Sequence, residues 1–209
     1  MKNKLSVFFI VIFAVLGLAF TFHYPLQNLL ISTGSEALVE KEFISVDDVQ
    51  EANFEFQTVQ SLEIADVLKA QLNKKDFSVI GSIAIPSVNL ELPIGKGVSE
   101  SIITLGAGTL KPEQLPGIGN YALASHYIEN KDILFGPLYH VKIGDLAYIS
   151  DKDFVHEYKI STIEVIKDSD VHVIDDVEDK VLLTLITCAE AGTKRLLVQG
   201  EWVQSYPIK

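Results

Sequence analysis

The chain has 209 residues, 48% of them hydrophobic, and a formal net charge of −11, enough for one globular domain plus a smaller appended segment. The acidic balance excludes a nucleic-acid binder, which needs clustered Lys and Arg to neutralise phosphates. One cysteine excludes an internal disulfide framework.

After Lys2 and Lys4 the chain reads LSVFFIVIFAVLGLAFTF, Leu5 to Phe22, uncharged and strongly apolar. At about 1.5 Å per residue it spans about 27 Å, close to the hydrocarbon thickness of a bilayer. A removable secretory signal usually has an apolar core of about 7 to 15 residues and a small-residue cleavage site. AFTFHYP offers no convincing A-x-A, so the run reads as an uncleaved anchor, with a removed signal as the alternative; both export the rest of the chain. The two lysines keep the N-terminus cytoplasmic. Residues 1–4 are then a cytoplasmic tip, 5–22 a transmembrane anchor, and the rest extracellular. From 23 to 75 the chain is rich in Glu and Asp, and Val59, Leu62, Ile64, Val67, Leu68 and Leu72 recur at roughly helical spacing. This predicts a partly helical stalk ending in one amphipathic helix, a spacer whose acidity is a solvated face.

From 76 to 209 the texture changes to short β-branched runs broken by Gly, Pro, Asn and Asp, the pattern of an all-β barrel or sandwich. Strands are expected at SVIGSIAI, LELPI, YALASH, LAYISD, FVHEYKISTIEVI, KVLLTLIT and RLLVQGEWV. In the longest, Phe154, His156, Tyr158 and Ile160 share one face. GKGVSESIITLGAGTLKPEQLPGIGN and KDSDVHVIDDVED read as loops, and ENKDILFGPLYH has room for a helical turn. The loop from Lys167 to Asp179 is long for a plain hairpin, and long loops on a rigid scaffold are where binding sits.

The lone cysteine, Cys188, is either a small buried hydrophobe or a working thiol. It ends an apolar strand just after Thr187, followed by the small residues Ala189, Ala191 and Gly192, which predicts an accessible sulfur at a strand mouth. A thiol of ordinary pKa about 8.5 needs a neighbouring cation or base to become a nucleophile. Arg195, the only arginine, opens the next strand, and a hairpin return brings it beside Cys188; its planar guanidinium also suits a peptide carbonyl or a developing oxyanion. Of the five histidines, His126 at the end of YALASH and His172 in the long loop both remain candidates for the base. A zinc site lacks a second cysteine or near-spaced histidine.

TLITC, residues 184–188, resembles the TLxTC motif of the sortases, and the histidine closing LASH with Arg195 on the following strand completes that family's Cys-His-Arg set. The resemblance, to class A members, runs from about Ser78 to Val203. It implies an eight-stranded sortase-type β-barrel with short helices, behind the transmembrane helix and stalk, on a Gram-positive cell membrane. It also implies cysteine transpeptidase chemistry that joins proteins ending in an LPxTG signal to an amine of lipid II or the peptidoglycan cross-bridge. On that pattern Cys188 is the nucleophile, His126 the acid–base group and Arg195 the substrate and oxyanion ligand, with the sulfur ionised beside two cationic partners. Val171, Val173 and Ile174 would receive the Leu-Pro part of the signal, or else pin their loop to the barrel, with Ala124, Ser125 and Thr187 beside them. Some class A members bind Ca²⁺, which takes about six to eight oxygen ligands; here GAGTLKPEQLPGIGN offers only Glu113, so calcium-independent activity and no cofactor are expected. No inserted segment carries an Asp-Pro-aromatic plug of the pilin-polymerising type, which fits a housekeeping role. The rivals are a cysteine peptidase that only hydrolyses and a non-catalytic wall-binding barrel.

Overall fold

The computed structural model describes residues 2–49, 52–54, 62–128, 132–189 and 192–208. Eight strands occur in chain order: β1 Val79–Ile85, β2 Leu90–Gly95, β3 Ala107–Thr109, β4 Asn120–Ala124, β5 Leu146–Ser150, β6 Phe154–Lys167, β7 Leu182–Ala189 and β8 Lys194–Pro207. They close into a barrel in the order β1-β2-β3-β4-β7-β8-β6-β5, with β5 returning to β1. Closure leaves no unpaired sheet edge. Alternate residues point inward, so Ile83, Leu92, Leu123, Ile149, Tyr158, Leu183, Leu185 and Val198 fill one interior cluster.

All seven expected strands are present. The eighth, β3, and the helix before it, α3 Glu100–Leu105, lie in a stretch that reads as loop. The cause is topological: β2 and β3 pair in parallel, a parallel pair needs a crossover, and α3 supplies it. Three residues, Ala-Gly-Thr, are too few to show an alternation.

The N-terminal helix α1 spans Lys2–Val39 and carries Pro25 within it. Among the described residues no single helix is long and apolar enough to cross a membrane; the segments Val7–Leu18 and Thr21–Val39, bent by 44°, pass that test only together. The first segment exposes Phe8, Phe9, Ile10 and Phe13, whereas Ile31 and Leu38 in the second are fully buried. Ile31 joins the barrel's own core cluster, and Ser35 Oγ donates to the Leu105 carbonyl at the end of α3 (2.6 Å). The amphipathic helix is α2, Ile64–Leu72, started by the Asp66 carboxylate accepting the Glu63 N–H at 3.1 Å. Val67 is buried in the barrel core cluster, but Leu68 and Leu72 face solvent; Val59 lies outside the described residues. The described helices of the stretch expected as a spacer, the second segment of α1 and α2, are therefore packed on the barrel.

Candidate active site

Three neighbouring strands, β4, β7 and β8, build the site, and the period-2 alternation fixes what they present. On β7, Leu183 and Leu185 face the barrel interior, so Ile186 and Cys188 share the outer face. On β8, Leu196 and Val198 face inward, leaving Arg195 and Leu197 outward. Cys188 and Arg195 are direct cross-strand partners in the antiparallel ladder, which puts their Cβ atoms about 4.5–5.5 Å apart. β4 runs parallel to β7 with Ala124 level with Ile186, and Ser125 N–H continues that ladder to the Ile186 carbonyl at 3.4 Å. β4 ends at Ala124; the same register carried two residues further sets His126 level with Cys188. The three candidates thus converge at one rim. His172 lies exposed in the β6–β7 loop.

The rim is drier than expected. Cys188 is 8% exposed, Arg195 8% and His126 4%. Burial pushes the Cys188 thiol up, and the Arg195 guanidinium pulls against it without overcoming it. Burial thus favours the neutral thiol over a sulfur ionised beside two cations, because strand-end position says nothing about desolvation. His126 Nε2 lies 3.1 Å from the Glu100 carboxylate on α3, and that bond, the largest influence on Glu100, holds its carboxyl below the usual range. Arg195 Nη1 donates to the Gly192 and Lys194 carbonyls at 2.8 and 2.9 Å. The Tyr139 hydroxyl donates to the Cys188 carbonyl at 3.1 Å.

A groove of about 310 Å³ leads from Arg195 under the β6–β7 loop. Val171, Val173 and Ile174 form its loop wall; Leu110, Ile166 and Ile186 form the opposite one. Phe54, from the segment before the barrel, stands at its edge, and the neighbouring Asn53 carbonyl accepts the Val98 N–H at 2.6 Å. Ala124, Ser125 and Thr187 lie beneath the site instead. Thr187 Oγ1 donates to the Ser125 carbonyl (2.8 Å) and Ser125 Oγ to the Gly106 carbonyl (2.6 Å), while Ala124 packs against Val98 and Ile103. Their small side chains are consumed in holding the rim together.

The β6–β7 loop is anchored from the β3–β4 side. Asp176 Oδ1 accepts from Lys111 Nζ at 2.6 Å and from the Asn120 N–H at 2.8 Å. Lys111 chiefly holds the Asp176 carboxyl below its ordinary range. Asn120 Nδ2 donates to the Val173 and Asp175 carbonyls, both at 3.0 Å.

The model of the sortase domain matches residues 83–203, the span that contains nearly all of this barrel and its rim. The chain belongs to the sortase family. Sortase A of Streptococcus agalactiae serotype III is 36% identical over 217 residues, covering 96% of this chain and 88% of the relative. The solved structure of Listeria monocytogenes sortase A superposes with a TM-score of 0.60 at 37% identity, covering 63% of this chain and 91% of that one. Clostridium perfringens sortase C, solved with the C-terminal cell wall sorting motif, superposes with a TM-score of 0.55 at 34% identity over 61% of this chain and 71% of that one. The closed eight-stranded barrel is this family's fold. Glu100, Leu110, Ile166, Ile186, Phe54 and Tyr139 carry no signal of a site in the sequence of this sortase. Strand register places Ile166 and Ile186 and the α3 crossover places Glu100, while Phe54, Leu110 and Tyr139 come from connecting segments packed against the barrel.

Proposed function

We propose that this chain is a class A sortase that cleaves the Thr-Gly bond of LPxTG signals and transfers the acyl group to a cell-wall precursor amine. The observation that carries the reading is the direct pairing of Cys188 with Arg195, with His126 level on the adjoining strand. The thiol proton passes to the imidazole as sulfur adds to the threonine carbonyl carbon, and an Arg195 N–H faces the developing oxyanion. Collapse breaks the C–N bond; the imidazolium returns its proton to the departing glycine nitrogen, leaving a thioester. An incoming amine then attacks, His126 takes its proton, and the departing sulfur receives that proton from the imidazolium, restoring the neutral thiol. A neutral resting thiol suits this order, since the charge-separated state is needed only once substrate has entered. The apolar groove under Val171, Val173 and Ile174 fits the Leu-Pro part of the signal better than a loop merely pinned to the barrel, because open space of about 310 Å³ remains between those residues and β7.

Calcium independence belongs to the same reading. The Lys111 ammonium already satisfies Asp176, and among the described residues no group of three or more His, Cys, Asp or Glu could hold a metal. The donor set does not fit a divalent cation. Membrane anchorage by residues 5–22 is supported by the exposed Phe8, Phe9, Ile10 and Phe13 and by the lysines preceding them.

Mass measurement after incubation with an LPxTG peptide tests the chemistry: an acyl adduct on Cys188 is expected, and none in Cys188→Ala, which keeps the wild-type melting temperature. Adding an amine acceptor should convert the product from free acid to amide; hydrolysis alone would assign the chain to peptidases. A severalfold rise in rate on adding calcium overturns the metal-free reading.

A further inference from the structure

Helix α3 grips the segment bearing His126 at two points. At its C-terminal end the Gly106 carbonyl accepts the hydroxyl of Ser125, one residue before the histidine, at 2.6 Å. At its N-terminal end Glu100 brings Oε1 to 3.1 Å from His126 Nε2. The ring is 4% exposed and the carboxylate side chain 57%. A buried imidazole thus touches a carboxylate that keeps most of its hydration and stays ionised. Thr104, one turn on, directs its hydroxyl to the same Oε1 at 3.5 Å. Among the described residues the His126 ring has no other hydrogen-bond partner, so Nδ1 is the nitrogen left for proton exchange.

We propose that Glu100 is the positioning residue for His126: its carboxylate accepts the Nε2–H, fixes the tautomer and ring plane, and offsets the desolvation cost of the imidazolium. This rests on the reading of His126 as the acid–base group. A charge-assisted bond to a carboxylate is stronger than a neutral one, and a neighbouring negative charge favours the protonated ring while burial disfavours it. The proton enters and leaves through Nδ1; Nε2 keeps its hydrogen throughout and Glu100 never changes protonation state. The charged group at the ring is Glu100 on α3, with Lys69 of α2 acting on Glu100; on the neighbouring strands stand Cys188 of β7 and Arg195 of β8, paired with each other. Glu100 is the one anion in that set.

Glu100→Gln retains an acceptor for Nε2–H and removes the charge; Glu100→Ala removes both. In transfer assays with an LPxTG peptide and an amine acceptor, Glu100→Gln should lower kcat by about tenfold with KM within about twofold. The acid limb of its pH–rate profile, where the neutral ring that accepts the thiol proton is lost, should move to lower pH. In Glu100→Ala, imidazole ¹⁵N spectra of the free enzyme should lose the Nε2–H tautomer that dominates the wild type. Wild-type kcat and acid limb in Glu100→Gln with an unaltered tautomer in Glu100→Ala overturn the proposal, as does a change confined to KM or melting temperature. If wild-type protein does not act on the peptide, the sortase reading of the site has failed, and the ¹⁵N tautomer and titration of the free protein still decide the role of Glu100.

Discussion

Two histidines sit at opposite ends of the barrel, each mostly buried and each with a carboxylate oxygen 3.1 Å from Nε2. They lie on different strands, but β6 links the ends: His156 is near its start, while Ile166, ten residues on at about 3.3 Å per residue, pairs with Arg195. At the far end both ring nitrogens are engaged, Nε2 with Asp151 and Nδ1 with the Ser205 hydroxyl at 2.9 Å. Asp151 also accepts the Asp153 and Phe154 N–H groups through Oδ1, closing a turn. Gly117, at φ +79°, presses against the ring so closely that a Cβ there would stand 2.8 Å from Nδ1. At the near end one nitrogen is left over, and the adjoining strand carries a thiol. A histidine–carboxylate pair is therefore silent about function; a knot tied on both sides holds structure, and one tied on a single side is available for proton transfer.

Exchanging each histidine for alanine challenges this contrast most directly. His126→Ala should cut kcat/KM by about a thousandfold, within the range of lost general acid–base catalysis, with little change in melting temperature. His156→Ala should do the reverse, keeping kcat while destabilising the barrel by about 1–3 kcal/mol, the scale of unpaired buried polar groups. Activity surviving in the first variant, or vanishing in the second without loss of fold, would erase the distinction. Arg195→Lys comes next, with an expected loss of about two to three orders of magnitude, the scale of an oxyanion donor. Lysine can replace the charge but not a planar fork that holds the Gly192 and Lys194 carbonyls on one side while facing the groove on the other. Near-normal rates in that variant remove arginine from its role.

The features legible in the sequence divide along the same line, between local pattern and register. Apolar, β-branched runs bounded by turn residues mark seven strands because each is long enough to stand out; β3 is too short, and α3 has one and a half turns with Ile102, Ile103 and Leu105 crowded together rather than spaced. Cys188 and Arg195 are legible as a pair because a hairpin joins them. His126 needs the parallel β4–β7 pairing, which no local signal announces, so His172 competes with it until the strands are in place. Val171, Val173 and Ile174 stand out as branched residues in an acidic loop, whereas Leu110, Ile166 and Ile186 look like any strand or loop apolar residue. The protonation of Cys188 is hidden for a different reason: it depends on the coverage of the rim, which no spacing encodes.

That protonation gives a smaller, sharper test. Burial raises the Cys188 thiol and Arg195 opposes the rise, so alkylation of the free enzyme by iodoacetamide should speed up with pH through a midpoint above the ordinary thiol value of about 8.5. Arg195→Gln removes the opposing charge, moving the midpoint higher still and slowing alkylation severalfold at neutral pH. His156→Ala, at the other end, should leave it unmoved. A wild-type midpoint on the acid side of neutrality would mean a resting thiolate and overturn a proton transfer that starts from the neutral thiol.

The smallest expected effect separates the rim from the loop that roofs its groove. Lys111 reaches Asp176 across solvent, with the aspartate side chain 68% exposed, and such pairs contribute little to global stability. Their leverage is local, because Asp176 also takes the Asn120 N–H, and Asn120 in turn holds the Val173 and Asp175 carbonyls. Lys111→Met should therefore raise KM by about threefold and leave kcat and melting temperature near wild type, the pattern of weakened uniform binding. The sign with pH comes from the lowered carboxyl of Asp176: the loop's order is complete above the ordinary aspartate range near pH 4 and fades as pH falls through the depressed value. Wild-type KM should accordingly climb only at the acid extreme, and the Met variant, its carboxyl returned toward normal, should begin that climb at higher pH. A kcat that falls as KM rises would tie the loop to His126 and Cys188 themselves, and the two halves of the site would have to be treated as one.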